Sequence, residues 1–256
     1  MELVLDLNLL ITLCSVGFLA GFIDAVAGGG GMLTIPTLLT AGLPPHIALG
    51  TNKLAASFGS FTASYTYYKK QLFTPSFWRH ALVSTAIGAI IGTLVVNQLS
   101  TEFLDKILPV LIITTAIYTL FAKNIVNNSS VLPVFSQKIK WQQIIQGLTL
   151  GFYDGVAGPG TGAFWTASSA VLYKMNILIC SGLARSTNFV SNICSLFTFL
   201  YLGQVNLMLG LLMGLFIMSG SWVGAHSAIK FGGKFIRPVF IVVVLSLSAN
   251  LAYQAW

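Results

Sequence analysis

The stretch Gly21-Phe22-Ile23-Asp24-Ala25-Val26-Ala27-Gly28-Gly29-Gly30-Gly31 returns in the second half of the chain, only slightly altered. There it reads Gly151-Phe152-Tyr153-Asp154-Gly155-Val156-Ala157-Gly158-Pro159-Gly160-Thr161. Each copy closes a long apolar segment and sets a carboxylate just ahead of a glycine-rich break. An internal repeat built on apolar segments is the mark of many secondary transporters, whose substrate sits between the halves where helices are interrupted. Later landmarks repeat too. Thr51-Asn52 matches Thr187-Asn188, Phe61-Thr62 with Tyr65 matches Phe197-Thr198 with Tyr201, and Gly88 and Gly92 match Gly220 and Gly224. Ile107-Leu108-Pro109 resembles Ile236-Arg237-Pro238, so the repeat covers most of both halves.

Composition agrees with a bilayer as solvent. The 256 residues are 55% hydrophobic and only 7% charged, with a mean hydropathy of +0.85, whereas a soluble domain is roughly a quarter charged. The net charge of +7 does not point to nucleic acid, because the basic residues lie in short loops between apolar runs, where they act as orientation signals. Cys14, Cys180 and Cys194 fall inside apolar segments without metal-ligand spacing and read as packing residues. The first apolar segment resembles a signal peptide, with Ala25-Val26-Ala27 as a cleavage site. Its leader carries Glu2 and Asp6 rather than Lys or Arg, and the same Val-Ala-Gly recurs mid-chain, so it reads as a retained helix.

Runs of about 20 apolar residues place long helices at roughly 8–27, 46–68, 77–98 and 103–122, then at 141–157, 177–202, 205–227 and 235–254. Shorter pieces follow each break, at about 31–42 and 160–173. A 12-residue helix spans only about 18 Å, short of a hydrocarbon core of about 30 Å, so these read as half-helices hairpinned onto the segment before them. The expected fold is an all-α membrane protein of about eight long and two short segments. Its first repeat occupies 1–122, a polar linker 123–140 and the second repeat 141–256.

Charge relates the halves. If each broken hairpin returns to the side it entered from, each half crosses an odd number of times and the second half is inverted. With the N-terminus outside, ten of the thirteen basic residues lie inside, among them Lys69, Lys70, Arg79, Lys174, Lys230 and Arg237. Corresponding loops have opposite character, the 69–79 loop being basic and 203–205 uncharged. Inverted repeats are therefore expected.

Four ionisable residues are predicted at membrane depth: Asp24, Lys53, Asp154 and Arg185. A central charge costs about 3 kcal/mol on insertion scales, so such groups are paired or functional. Either they form two structural salt bridges, or the cations hold an anion while Asp24 or Asp154 carries a proton. Arg185 offers a fork for an oxyanion and Lys53 a point charge. Asn188 lies three residues from Arg185 and shares its helix face. Asn52 and Lys53 are adjacent and diverge on an ideal helix, converging only if the backbone unwinds or starts there. Thr51 and Thr187 supply hydroxyl donors or caps. Gly29, Gly30 and Gly160 sit in the breaks, where a half-helix start aims N–H groups and a positive end at the midplane. The small-residue stripes at Ser84, Gly88 and Gly92, at Gly210 and Gly214, and at Gly220 and Gly224 read as helix-packing faces and leave room for a homodimer. His46, His80 and His226 are scattered without metal-ligand spacing, so neither a metal nor another cofactor is expected.

The first break with Leu33-Thr34-x-Pro36 and Gly50-Thr51-Asn52-Lys53, and the second with Ala184-Arg185-x-x-Asn188, resembles the sulfite exporter TauE/SafE family of membrane permeases. The resemblance spans nearly the whole chain. It implies a multi-pass protein of the bacterial inner membrane that moves sulfite, sulfonates or related small oxyanions. The basic residue that members carry near the second-half asparagine is here Arg185.

The expected function is a secondary carrier for a small sulfur-containing anion, working by alternating access. Arg185, Asn52, Asn188 and the break N–H groups would bind the anion, Lys53 would support it, and Asp24 and Asp154 would couple protons or brace the broken helices. A passive anion channel is the main alternative, and a non-transporting scaffold a weaker one. An enzyme is not expected, since no Gly-x-Ser-x-Gly or His-Glu-x-x-His constellation occurs.

Overall fold

The computed structural model describes residues 7–121, 129 and 131–232. Among these the chain forms nine helices and no strand: α1 (Leu7–Val26), α2 (Gly31–Thr40), α3 (Pro45–Lys69), α4 (Arg79–Asn97), α5 (Thr101–Phe121), α6 (Gln137–Val156), α7 (Thr161–Tyr173), α8 (Ile177–Tyr201) and α9 (Leu207–Phe231). The expected segment at 235–254, with Lys234, Arg237 and positions 123–128 and 130 of the linker, lies outside the described residues.

Local chemistry sets the helix ends. Pro45 opens α3 at a position where its missing N–H costs nothing. The side chains of Asn176 and Asn206 cap α8 and α9, accepting from Ile179 and Leu209 N–H at 2.9 and 3.0 Å. Ser136 likewise accepts from Ile139 N–H, which starts α6 at Gln137, inside the expected linker. Its polar first turn hid that start from a hydropathy reading. Between α1 and α2, and between α6 and α7, the backbone swings into left-handed space at Gly28 (φ +89°) and Gly158 (φ +91°), a conformation that glycine adopts without strain.

Among the described residues three helices, α1, α4 and α9, are long and apolar enough to cross a membrane. Their outer faces expose large apolar side chains such as Phe18, Ile87, Ile91, Leu211 and Leu215. Helices α3 and α8 are equally long but more polar, and they pack on each other at the centre. Ser64 meets Ser186, Phe61 meets Phe189 and Ser60 meets Asn192, so their contacts run in opposite directions and the two helices are antiparallel.

The outer helices exchange partners between halves: α1 packs on α9, and α6 on α4. Glycines make both contacts close. A Cβ on Gly224 would lie 2.5 Å from the Phe22 carbonyl oxygen, and one on Gly17 3.1 Å from that of Met213. A Cβ on Gly88 would lie 2.5 Å from the Leu148 carbonyl oxygen, and Gly92 abuts Phe152 in the same way. Residue numbers rise together along both contacts, so each pair is parallel. The stripes expected to pack helices thus do so within one chain. Gly210 and Gly214 seat Leu54 and Phe58 of α3. Trp78, which stands at a segment end, is fully buried with its ring 4.8 Å from that of Tyr173.

Candidate functional site

The two breaks meet at the centre. Ala163 N–H, in the first turn of α7, donates to the Gly28 carbonyl at 3.2 Å, and Gly31 sits against Pro159. Each break is tied to its own helix by the carboxylate ahead of it. Asp24 Oδ1 accepts from Gly30 N–H at 3.2 Å, and Asp154 Oδ1 accepts from the Thr161 hydroxyl at 3.0 Å. Asp154 Oδ2 accepts from the Ser191 hydroxyl.

Each acid is also paired with a cation from the other half. Lys53 Nζ lies 3.1 Å from Asp154 Oδ1 and donates to the Asp154 carbonyl at 2.5 Å. Arg185 Nη1 lies 3.7 Å from Asp24 Oδ2 and donates to the Asp24 carbonyl. Lys53 is 1% exposed and Arg185 0%. Charges this deep persist only when paired and hydrogen-bonded, and removing one partner of such a pair costs about 3–5 kcal/mol.

Beside the first break is a cavity of about 30 Å³, room for about two waters at ~10–15 Å³ each. Asp24, Gly30, Gly31 and Thr34 border it from the first hairpin, Asn52 and Lys53 from α3, Asp154 and Gly158 from the second hairpin, and Asn188 and Asn192 from α8. The Asn52 Oδ1 accepts from Thr34 at 2.5 Å, which leaves its amide NH₂ to serve the cavity. The Asn188 Oδ1 is buried without a partner.

Of the expected site residues, Asn52, Lys53, Asn188, Gly30, Asp24 and Asp154 thus share one cavity wall. Asn52 and Lys53 do so although α3 runs unbroken through them, because the cavity spans the arc of about 100° between adjacent helical residues. Arg185 stands behind the wall rather than in it. Its guanidinium is clasped between Gly28 and Gly162, where added Cβ atoms would come within 2.7 and 2.9 Å of its nitrogens. Gly29 and Gly160 do not border the cavity. The Thr51 hydroxyl accepts from Asn206 N–H at 2.9 Å and so fixes the start of α9. The Thr187 hydroxyl donates back to Leu183 and Ala184 of its own helix.

Thr34 and Asn192 are cavity residues that the sequence reading passed over. Asn192 lies one turn beyond Asn188, a spacing that signals a shared face. Thr34 stands inside the quoted Leu33-Thr34-x-Pro36 stretch. Among the described residues no cluster of three or more His, Cys, Asp or Glu could hold a metal.

Comparison with known proteins gives a consistent set of relatives. The family model described as sulfite exporter TauE/SafE matches residues 13–251. The chain is 35% identical to a "Probable membrane transporter protein" of Haemophilus influenzae over 261 residues, covering 98% of each chain. It is 37% identical to "Probable membrane transporter protein ORF9" of a Sinorhizobium species, over 96% of this chain and 94% of the relative. It is 34% identical to "Probable membrane transporter protein YfcA" of Escherichia coli K12, over 94% of this chain and 88% of the relative. No solved structure matches the chain.

Proposed function

The chain belongs to the sulfite exporter TauE/SafE family, and from that premise we propose that it is a multi-pass secondary transporter of the cell inner membrane. Its cargo is sulfite, a sulfonate or a related small sulfur-containing anion. The observation that carries this reading is the cavity where the broken helices of both halves meet, bordered by an ammonium and three asparagine side chains. Lys53 supplies the charge nearest the anion, and Asn52, Asn188 and Asn192 supply neutral donors. Thr34 sets the orientation of Asn52. Arg185 acts one layer back, balancing Asp24 and holding the two breaks together.

Alternating access follows from the way the halves are interlocked. The antiparallel α3–α8 pair and the exchanged parallel pairs α1–α9 and α6–α4 support two halves related by a two-fold axis in the membrane plane. The basic loops at 69–79 and 230–237 support the same inverted arrangement. Rocking of one half against the other would expose the cavity first to one side and then to the other. A space of about 30 Å³ is no open, water-filled path across the molecule in this conformation, as a carrier between its two openings requires.

Counterflow in proteoliposomes tests the assignment. Unlabelled sulfite or methanesulfonate trapped inside should drive transient accumulation of the labelled anion above equilibrium, and flux should saturate. Ohmic current without counterflow would replace the carrier with a channel.

A further inference from the structure

We infer that the two buried ion pairs differ in kind: Arg185–Asp24 is a fixed brace, and Asp154 is the proton-binding group that hands Lys53 over to the anion. This inference rests on the anion-carrier reading above. Both members of the Lys53–Asp154 pair border the cavity, whereas only Asp24 of the other pair does. Arg185 leaves Asp24 only by vacating the packed space against Gly28 and Gly162 in which its guanidinium is lodged. Lys53 can leave Asp154 by turning its flexible stem toward the cavity it already borders.

Hydrogen bonding separates the two acids more sharply. Asp24 accepts from a backbone N–H, that of Gly30, which can take no hydrogen bond in return, so this partner favours the carboxylate and gives a protonated Asp24 nothing to donate to. Asp154 accepts from two hydroxyls, those of Thr161 and Ser191. A hydroxyl both donates and accepts, so a protonated Asp154 can donate to either one and stay satisfied after Lys53 has moved.

The charges balance. Lys53 and Arg185 offset Asp24 and Asp154, so a singly charged anion such as a sulfonate entering alone leaves one negative charge in excess, and a dianion such as sulfate leaves two. A proton taken from solution onto an Asp154 oxygen removes one of these charges, which restores neutrality for the singly charged anion. The ammonium keeps its own protons throughout and exchanges a carboxylate oxygen for an anion oxygen. Release of the anion and of the proton restores the pair. The groups facing Asp154 are Lys53 from α3, Thr161 from α7, Ser191 from α8 and Asp24 from α1, with Arg185 behind Asp24. From α4 comes only the Thr93 hydroxyl, bonded to the Gly155 carbonyl; the charged residues of that helix, Arg79 and His80, are at its first turn.

The test is binding of sulfate, thiosulfate and methanesulfonate, which stay fully ionised between about pH 5.5 and about pH 8.5, to the purified full-length protein. Anion binding to the unaltered protein should take up one proton from weakly buffered solution, and wherever it does so affinity should fall about tenfold per unit rise in pH. Asp154→Asn should bind as tightly at high pH as the unaltered protein does at low pH, with no pH slope. Asp24→Asn should keep the slope. Saturable binding without proton uptake would overturn the inference and leave the carrier reading standing, as would an Asp154→Asn variant that keeps the slope. The proton count needs no variant and decides the matter if Asp154→Asn fails to fold. Binding of none of the three anions, nor of sulfite, by protein that still unfolds cooperatively, would bring down the carrier reading and the inference together.

Discussion

Arg185 and Asn188 stand three residues apart on α8, yet only Asn188 reaches the cavity. Arg185 turns toward Asp24 and fills the space left by the missing side chains of Gly28 and Gly162. A brace and a ligand make different predictions. Arg185→Gln should destabilise the protein by about 3–5 kcal/mol, because Asp24 is left charged and unpaired. Adding Asp24→Asn should recover most of that loss in a thermal melt, whereas a double variant no better than the single one would speak against the brace. Asn188→Ala should leave the melt almost unchanged and weaken anion binding about tenfold, the equivalent of about 1.4 kcal/mol for one lost hydrogen bond to a charged group. Titration calorimetry checks the second effect. At this scale the sequence yielded the identity of the buried charges but not their order from the cavity. Which way Lys53 and Arg185 point depends on where the glycine breaks of the opposite half come to rest, and no spacing within α3 or α8 records that.

The elements themselves were almost fully legible. Apolar runs located all nine described helices, because segments that must satisfy every backbone group internally in lipid show little but their length and their breaks. The start of α6 and the end of α9 were the exceptions, since Ser136 nucleates a polar turn ahead of one apolar run and α9 continues through Lys230 to Phe231 beyond the other. Repeated glycines disclosed that close helix contacts exist, but not that α1 would find α9 and α6 would find α4. Those partners lie in opposite halves, so neither is read from a neighbouring segment. Enlarging a glycine at such a contact should therefore act on the joint between halves. Gly88→Val, facing Leu148 and Phe152 of α6, should cost about 1–3 kcal/mol through overpacking. Ile87→Val, on the exposed face beside it, should cost far less, and matched melts in one detergent compare the two.

For the whole molecule, the repeat is visible in the sequence and its pairing in the structure. Equivalent helices α3 and α8 run antiparallel, and the basic loops fall on one side only if the second half is upside down. In a chain whose native cysteines are replaced, Gln71→Cys should react with a membrane-impermeant thiol reagent only after the cells are opened. Tyr201→Cys, at the exposed end of α8, should react in intact cells. Labelling of both positions from one side would contradict the inverted arrangement. The account as a whole depends on the cavity between the broken helices being where the anion is carried. Its most direct test is uptake of labelled sulfite, sulfate and a small sulfonate into proteoliposomes, comparing the unaltered protein with an Asn52→Ala, Asn188→Ala double variant of equal thermal stability. The account predicts saturable flux of at least one of these anions, with half-saturation in the double variant raised about a hundredfold if the two hydrogen bonds contribute about 1.4 kcal/mol each. Flux that is identical in the two proteins would place the anion's path elsewhere and contradict it.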